Sequence, residues 1–123
     1  MQIEARQPEK LTLRLSADDL QCWANAVNEV CNGFDVANFQ AALGMSEERA
    51  NALLEKLHGN VAERPREFCL DELQAVRNAL TVVLGELSAG EFLTRMGCSV
   101  RQAEQMRNAL DALAGQMHLY KTA

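Results

Sequence analysis

A stretch that the chain contains twice decides the predicted fold: LQCWANAVNEV at residues 20–30 and LQAVRNALTVV at residues 73–83. Extended outward without a gap, this 53-residue shift aligns residues 15–58 with 68–111, and 11 of the 44 paired positions are identical. A chain that repeats itself at one fixed spacing is typical of repeated structural units. We therefore predict a tandem duplication, with repeat 1 at 15–58 and repeat 2 at 68–111.

Each repeat is predicted to form three helices, which gives about six helices in a single domain spanning residues 1–123. In repeat 1, Ser16 suits the N-cap of the first helix because its side-chain oxygen can accept a backbone N–H. Asp35 is predicted to cap a short second helix that ends at Gly44, and Ser46 to cap the third helix.

Repeat 2 follows the same plan, starting from Asp71. Ser88 and Ser99 are the predicted N-caps of its second and third helices, and each has a Glu or Gln three positions later that completes a capping box. The third helix is predicted to run to Ala114, because the glycine that follows, Gly115, is a common helix terminator.

One segment before the first helix, Leu11 to Leu15, has the alternation of a β-strand. Its counterpart before repeat 2 contains Pro65, which lacks a backbone N–H and is confined to the edges of sheets. We therefore expect at most one short N-terminal strand and assign the chain to the all-α class.

The second and third helices of each repeat have the spacing of a helix-turn-helix motif, with Gly44 and Gly97 at the turn. DNA binding by this motif requires Lys or Arg around the third helix, where they neutralise phosphates. In repeat 1 this helix begins with Glu47 and Glu48, so nucleic acid is not the expected partner. A DNA-binding regulator that uses repeat 2 is the alternative function, through Arg101, Gln102, Gln105 and Arg107.

Acidic residues are concentrated in repeat 1. The formal net charge of the chain is −5, and residues 15–60 carry seven acidic and two basic residues. Because complementary charge attracts a partner, we expect non-catalytic binding of a basic protein through an acidic face of repeat 1. The residues expected to bind this partner are Asp18, Glu29, Asn32, Asp35, Glu47 and Glu48.

Several classes of function are not expected. The sequence contains no glycine-rich phosphate loop and no nucleophile with a nearby base, so we do not expect an enzyme. The sequence contains no apolar run of about 18 residues, so we expect no membrane-spanning helix. Its start is polar and does not resemble a signal peptide, so we expect a cytoplasmic protein. We also expect no cofactor and no metal, because four cysteines without metal-site spacing predict buried reduced thiols. They are Cys22, Cys31, Cys69 and Cys98.

Two features bear on packing. The first helix of repeat 2 is apolar nearly all round, with Ala75, Ala79 and Val82 beside or opposite its apolar stripe, so we expect it in the interior. A homodimer interface is the alternative interpretation of this helix. Asn25 and Asn78 occupy aligned positions, and we expect each to make a structural hydrogen bond between helices or to a loop backbone.

The stretch NAVNEVCNG, from Asn25 to Gly33, is followed by Phe39, Gly44 and Ser46. It resembles a motif of small bacterial proteins that reads N-A-L-N-E-V-C-N-G and then F-x-x-x-x-G-x-S, and repeat 2 carries this motif more faintly. Such proteins resemble the immunity partners of secreted bacterial toxins. The resemblance implies an acidic face that blocks the basic site of a toxin.

Overall fold

Helices form most of the protein in the computed structural model. The structure describes residues 1–33, 36–58 and 64–122, and of residues 117–122 it describes the backbone alone. A π-helical segment, Glu29–Gly33, continues the first helix and is called the π turn below. The α-helices are α1 (Ala17–Asn28), α2 (Phe39–Leu43), α3 (Glu47–Leu57), α4 (Leu70–Glu86), α5 (Ala89–Met96) and α6 (Val100–Thr122).

The predicted serine N-caps are confirmed. The hydroxyl oxygen of each serine accepts the backbone N–H three residues later, at 3.1 to 3.3 Å. Each of these bonds satisfies one of the N–H groups that a helix start leaves without a partner. The four capping residues are Ser16, Ser46, Ser88 and Ser99.

Three helix boundaries differ from the prediction. α2 begins after Asn38, which has a left-handed backbone (φ 61°) and accepts the N–H of Ala41 at 3.4 Å, while the predicted cap Asp35 lies outside the described residues. α4 begins at Leu70, one residue earlier than predicted. α6 continues through Gly115, since a glycine costs about 1 kcal/mol relative to alanine but keeps its backbone hydrogen bonds.

A three-stranded antiparallel sheet joins the two halves of the chain, residues 1–58 and 64–122. Leu11 pairs with Phe68 across the two halves, and both side chains are buried. The sheet overturns the assignment to the all-α class with at most one short N-terminal strand. Pro65 does not prevent pairing, because it lies directly before an edge strand and outside the hydrogen-bonded ladder. In their order in the sheet, the strands are β1 (Gln2–Arg6), β2 (Lys10–Arg14) and β3 (Arg66–Cys69).

The short helix of each half packs against the first helix of the other half, so α2 and α5 are exchanged between the halves. α2 packs chiefly against α4 of the C-terminal half, and α5 packs chiefly against α1 of the N-terminal half. In a helix-turn-helix unit, the second and third helices would instead pack closely within one half. The prediction of two helix-turn-helix-like units is therefore wrong, and the tandem duplication remains an inference from the sequence.

Two asparagines fasten the exchanged helices. Asn25 in α1 donates through Nδ2 to the carbonyl oxygen of Met96, at the end of α5, at 2.8 Å. Asn78 in α4 donates in the same way to the carbonyl oxygen of Leu43, at the end of α2, at 2.9 Å. Each asparagine satisfies a carbonyl that the end of a helix leaves without an intrahelical partner. The structural role predicted for this pair is confirmed.

We expect Asn25→Ala and Asn78→Ala each to lower the free energy of unfolding by about 1–3 kcal/mol, because a carbonyl in the core loses its donor. Urea unfolding followed by the fluorescence of Trp23 measures this change. Asn32→Ala is the matched control, since the exposed Asn32 bonds only to the side chain of Asn28 among the described contacts. A loss at Asn25 no larger than the loss in this control would contradict the assignment.

α4 is the central helix, as predicted from its apolar surface. Ala75 and Ala79 are fully buried and Val82 is half-buried, since α4 packs against α1, α2 and α6. The interior position is therefore confirmed, and a homodimer remains a prediction.

An aromatic pair fixes the sheet to the helices. Trp23 in α1 and Phe68 in β3 are both fully buried, with ring centroids 5.4 Å apart and an interplanar angle of 64°. This edge-to-face arrangement places the positive edge of one ring against the negative face of the other, which is a favoured geometry. The pair connects one half of the chain with the other.

Candidate functional site

A cleft of about 480 Å³ lies between the first turn of α1, the turn that joins α5 to α6, and the start of α6. We call it the acidic cleft, because Asp18 and Asp19 line it and no Lys or Arg side chain is among the described residues that do so. Asp18 is exposed and Asp19 is half-buried. The residues that line the cleft are Met1, Asp18, Asp19, Cys22, Gly97, Cys98, Gln102, Gln105, Met106 and Ala109.

Helix caps place the polar side chains of this cleft. At the start of α1, the cap formed by Ser16 leaves two carboxylates in the first turn, where the helix dipole favours negative charge. At the start of α6, Ser99 donates its N–H to Oε1 of Gln102 at 2.8 Å, which completes the predicted capping box. Gln105 and Ala109 follow three and seven positions after Gln102, on the same face of α6.

A second cleft, of about 310 Å³, lies between α3 and the start of α4, and Lys56 and Glu72 are among the residues that line it. We call it the Lys56 cleft. The Nζ atom of Lys56 lies 3.1 Å from both carboxylate oxygens of Glu72 and donates to the carbonyl oxygen of Glu67. It also lies 4.6 Å from the centroid of the Phe68 ring, within the range of a cation–π interaction.

The two clefts are lined by aligned positions of the chain. The 53-residue shift aligns Glu72 with Asp19, so both clefts have a carboxylate at this position. The same shift aligns Lys56 with Ala109, so the acidic cleft has no lysine of its own there. The ammonium group of Met1 lies 3.3 Å from Oδ2 of Asp19 instead. Both clefts thus place a carboxylate beside a primary ammonium group.

The residues predicted to bind a partner do not form one surface. Asp18 lies in the acidic cleft at the start of α1, whereas the exposed Asn32 lies near the end of the π turn. At about 1.5 Å of rise per helical residue, these two are on the order of 20 Å apart. A partner that contacts both must therefore span the length of α1.

Glu47 and Glu48 lie near the end of α1 that carries Asn32. Both side chains are exposed at the start of α3, which contacts the π turn. Partial burial and, second, the charge of Glu47 raise the pKa of the Cys31 thiol in that turn. These carboxylates form a second acidic area, while Asp35 lies outside the described residues.

Glu29 has a structural partner. It is buried in the π turn, and its Oε1 accepts from Nε of Arg95 in α5 at 3.1 Å, with a second, closer contact between Oε2 and Nη2. The hydrogen bond to Glu29 raises the pKa of Arg95. A Cβ at Gly33 would force the carboxylate of Glu29 to shift away from its present position beside Arg95. We therefore leave Glu29 out of the proposed binding surface.

The residues predicted for DNA binding are divided between two environments. Gln102 and Gln105 line the acidic cleft together with Asp18 and Asp19, and these carboxylates repel phosphate. Arg101 and Arg107 lie elsewhere on α6 and do not line that cleft, the first exposed and the second half-buried. The surroundings of the two glutamines suit a cation better than a nucleic acid.

The four cysteines are free. Cys22 and Cys98 are buried as predicted, whereas Cys31 and Cys69 are half-buried. Within residues 1–33, 36–58 and 64–122, no group of three or more His, Cys, Asp or Glu side chains is arranged to hold a metal ion. No described helix is both long enough and apolar enough to cross a membrane.

Sequence reasoning missed Ala109 as a site residue, and it counted Asp19 only as one of the seven acidic residues of repeat 1. The signal was present in the alignment, because Lys56 pairs with Ala109 while the acidic character at Asp19 and Glu72 is kept. A carboxylate that has lost the lysine beside it is a candidate for binding a lysine from elsewhere.

Comparisons with protein-family models, with curated proteins and with solved structures find no match to this chain. The function is therefore inferred from the residues of the chain itself, and the resemblance to immunity proteins remains a prediction.

Proposed function

We propose that this protein is a non-catalytic binding module that holds a lysine side chain of a basic protein partner in its acidic cleft. The observation that supports this proposal is the Lys56 cleft, where the ammonium group lies 3.1 Å from both carboxylate oxygens of Glu72. The acidic cleft offers the aligned carboxylate of Asp19 and has Ala109 where the lysine would be. A lysine from a partner would complete the same arrangement.

The lining of the cleft suits both parts of a lysine side chain. Its apolar stem can lie along Met106 and Ala109, while its ammonium group meets the carboxylates at the start of α1. An incoming lysine would replace the ammonium group of Met1 beside Asp19, with the exposed carboxylate of Asp18 adjacent to it. An exposed ion pair contributes about 0–1 kcal/mol, so the surrounding interface must supply most of the affinity.

An immunity protein that neutralises a secreted bacterial toxin is the specific form of this proposal. It rests on the resemblance of the stretch from Asn25 to Gly33 and on the net charge of −5. In this form the bound lysine belongs to the basic site of the toxin, and complementary charge speeds the encounter. Glu47 and Glu48 would attract the same partner from the other end of α1.

The test is an NMR titration with the peptide acetyl-Gly-Lys-Gly-amide. We expect the amide signals of Asp18, Asp19 and Gln105 to shift, and to shift at least about fivefold less in the double variant Asp18→Asn/Asp19→Asn. The matched control is Glu47→Gln/Glu48→Gln, which also removes two carboxylates from the first turn of a helix and should leave the shifts unchanged.

Three outcomes would contradict the proposal. If the same peptide with an acetylated lysine shifts the same signals equally, the charge of the ammonium group is not what the cleft recognises. If only the control variant loses the shifts, the binding surface is the second acidic area. Salt-sensitive binding of duplex DNA that is lost in Arg101→Ala and Arg107→Ala would support the DNA-binding regulator instead.

A further inference from the structure

Two buried thiols meet at the base of the acidic cleft. Cys22 belongs to α1, and Cys98 lies 76 residues later, in the turn that joins α5 to α6. Their Sγ atoms are 2.9 Å apart, and the side chains are 4% and 6% exposed. A disulfide has an S–S distance of about 2.05 Å, so the two sulfur atoms need to approach by only about 0.9 Å to bond.

We propose that Cys22 and Cys98 are an oxidation site, which hydrogen peroxide entering the acidic cleft converts into a disulfide. Both cysteines line this cleft, so a molecule as small as peroxide can reach them although each is nearly buried. Cys31 and Cys69 do not line it. The inference does not depend on the proposed binding of lysine.

The reaction has two steps. The thiolate of Cys98 attacks one oxygen of the peroxide, the O–O bond breaks, and the protein gains a sulfenic acid while the second oxygen leaves as water. Cys22, losing its proton, then attacks the sulfur of Cys98 and releases the second water. Two electrons pass from the two sulfur atoms to one peroxide, so two thiols and one peroxide give one disulfide and two waters.

The hydrogen bond between the thiols assigns these roles. Burial raises the pKa of both thiols, and for Cys22 the bond to Cys98 and the charge of Asp19 raise it further. For Cys98 the same bond lowers the pKa and partly offsets the effect of burial, because a Cys98 thiolate would accept the proton of the Cys22 thiol in this bond. Cys98 is thus the more readily ionised of the two. The charged groups beside the pair in this cleft are Asp18, Asp19 and the ammonium group of Met1.

The test treats the full-length protein with hydrogen peroxide and maps its peptides by mass spectrometry without reduction. We expect one cross-linked peptide pair that contains Cys22 and Cys98. Its rate of formation should rise about tenfold per pH unit between pH 7 and 8, as the thiolate fraction rises. Because the bond closes a long loop, the melting temperature should rise by about 10 °C and return on reduction.

Cys31→Ala/Cys69→Ala is the control variant and should form the cross-link at the rate of the unchanged protein. Cys98→Ala should abolish it. Peptides in which Cys22 or Cys98 gains oxygen without a cross-link would overturn the proposal, as would a cross-link to Cys31 or Cys69. Mapping of the unchanged protein decides between these outcomes even if a variant does not fold.

Discussion

Ala109→Lys is expected to weaken the binding of a lysine peptide, or of the basic partner, by about threefold to fivefold. The new side chain stands on α6 where Lys56 stands on α3, so its ammonium group can reach Asp19 within the same molecule. Because it is tethered, this ammonium group is present at an effective concentration in the millimolar range. It therefore competes with the lysine of a peptide for the same carboxylate. Fivefold corresponds to about 1 kcal/mol of binding free energy, a change that NMR or calorimetric titration resolves.

The matched control is Asn108→Lys. It adds the same charge to the adjacent position of α6, which is exposed and does not line the acidic cleft. We expect it to change the affinity by less than about twofold at physiological salt, because long-range charge effects on the surface are screened. If both variants weaken binding equally, net charge governs the interaction and the cleft is not the binding site.

The largest expected effect on stability is that of Trp23→Ala, which should lower the free energy of unfolding by about 3–5 kcal/mol. Trp23 is fully buried against Phe68, so its removal leaves a cavity between α1 and the sheet. Native domains are stable by about 5–15 kcal/mol, and the melting temperature should therefore fall by roughly 15 °C. Far-UV circular dichroism measures the transition in both proteins.

Trp23→Phe separates packing from hydrogen bonding at this position. Among the described residues, the indole Nε1 of Trp23 has no hydrogen-bond partner, so phenylalanine loses area but no such bond. We expect a cost of about 1–2 kcal/mol, well below that of alanine. Equal costs for the two variants would show that the indole N–H is satisfied after all and contributes to stability.

The N-caps were predictable from the sequence because they depend on neighbours within three or four positions, as in Ser99 with Gln102. The sheet was not, because the partner of Leu11 is Phe68, more than 50 residues away, on a strand that Pro65 made appear unsuitable. The end of α2 at Gly44 was predictable for the same local reason, but the sequence does not show which half of the chain packs against this helix.

The candidate site was also predictable only in part, because its residues come from distant parts of the sequence. Charge counting identified Asp18 and the polar start of α6 separately, and assigned them to opposite functions, a protein partner and DNA. Only the fold shows that Asp18, Gln102 and Gln105 line one cleft. The ion pair of Glu29 was missed for a related reason, since its position on a polar helix face does not reveal that Arg95, 66 residues later, reaches it.

The exchange of α2 and α5 constrains the order of events during synthesis of this protein. When residues 1–58 have left the ribosome, β2 has only β1 beside it, because its second partner β3 and the helix that covers α2, α4, have still to be made. At that point the carbonyl of Leu43 lacks its hydrogen-bond donor, Asn78. Apolar side chains such as Leu11 stay exposed to water or to chaperones. Folding is therefore completed only after translation has passed α5, and a stalled first half is open to aggregation and proteolysis.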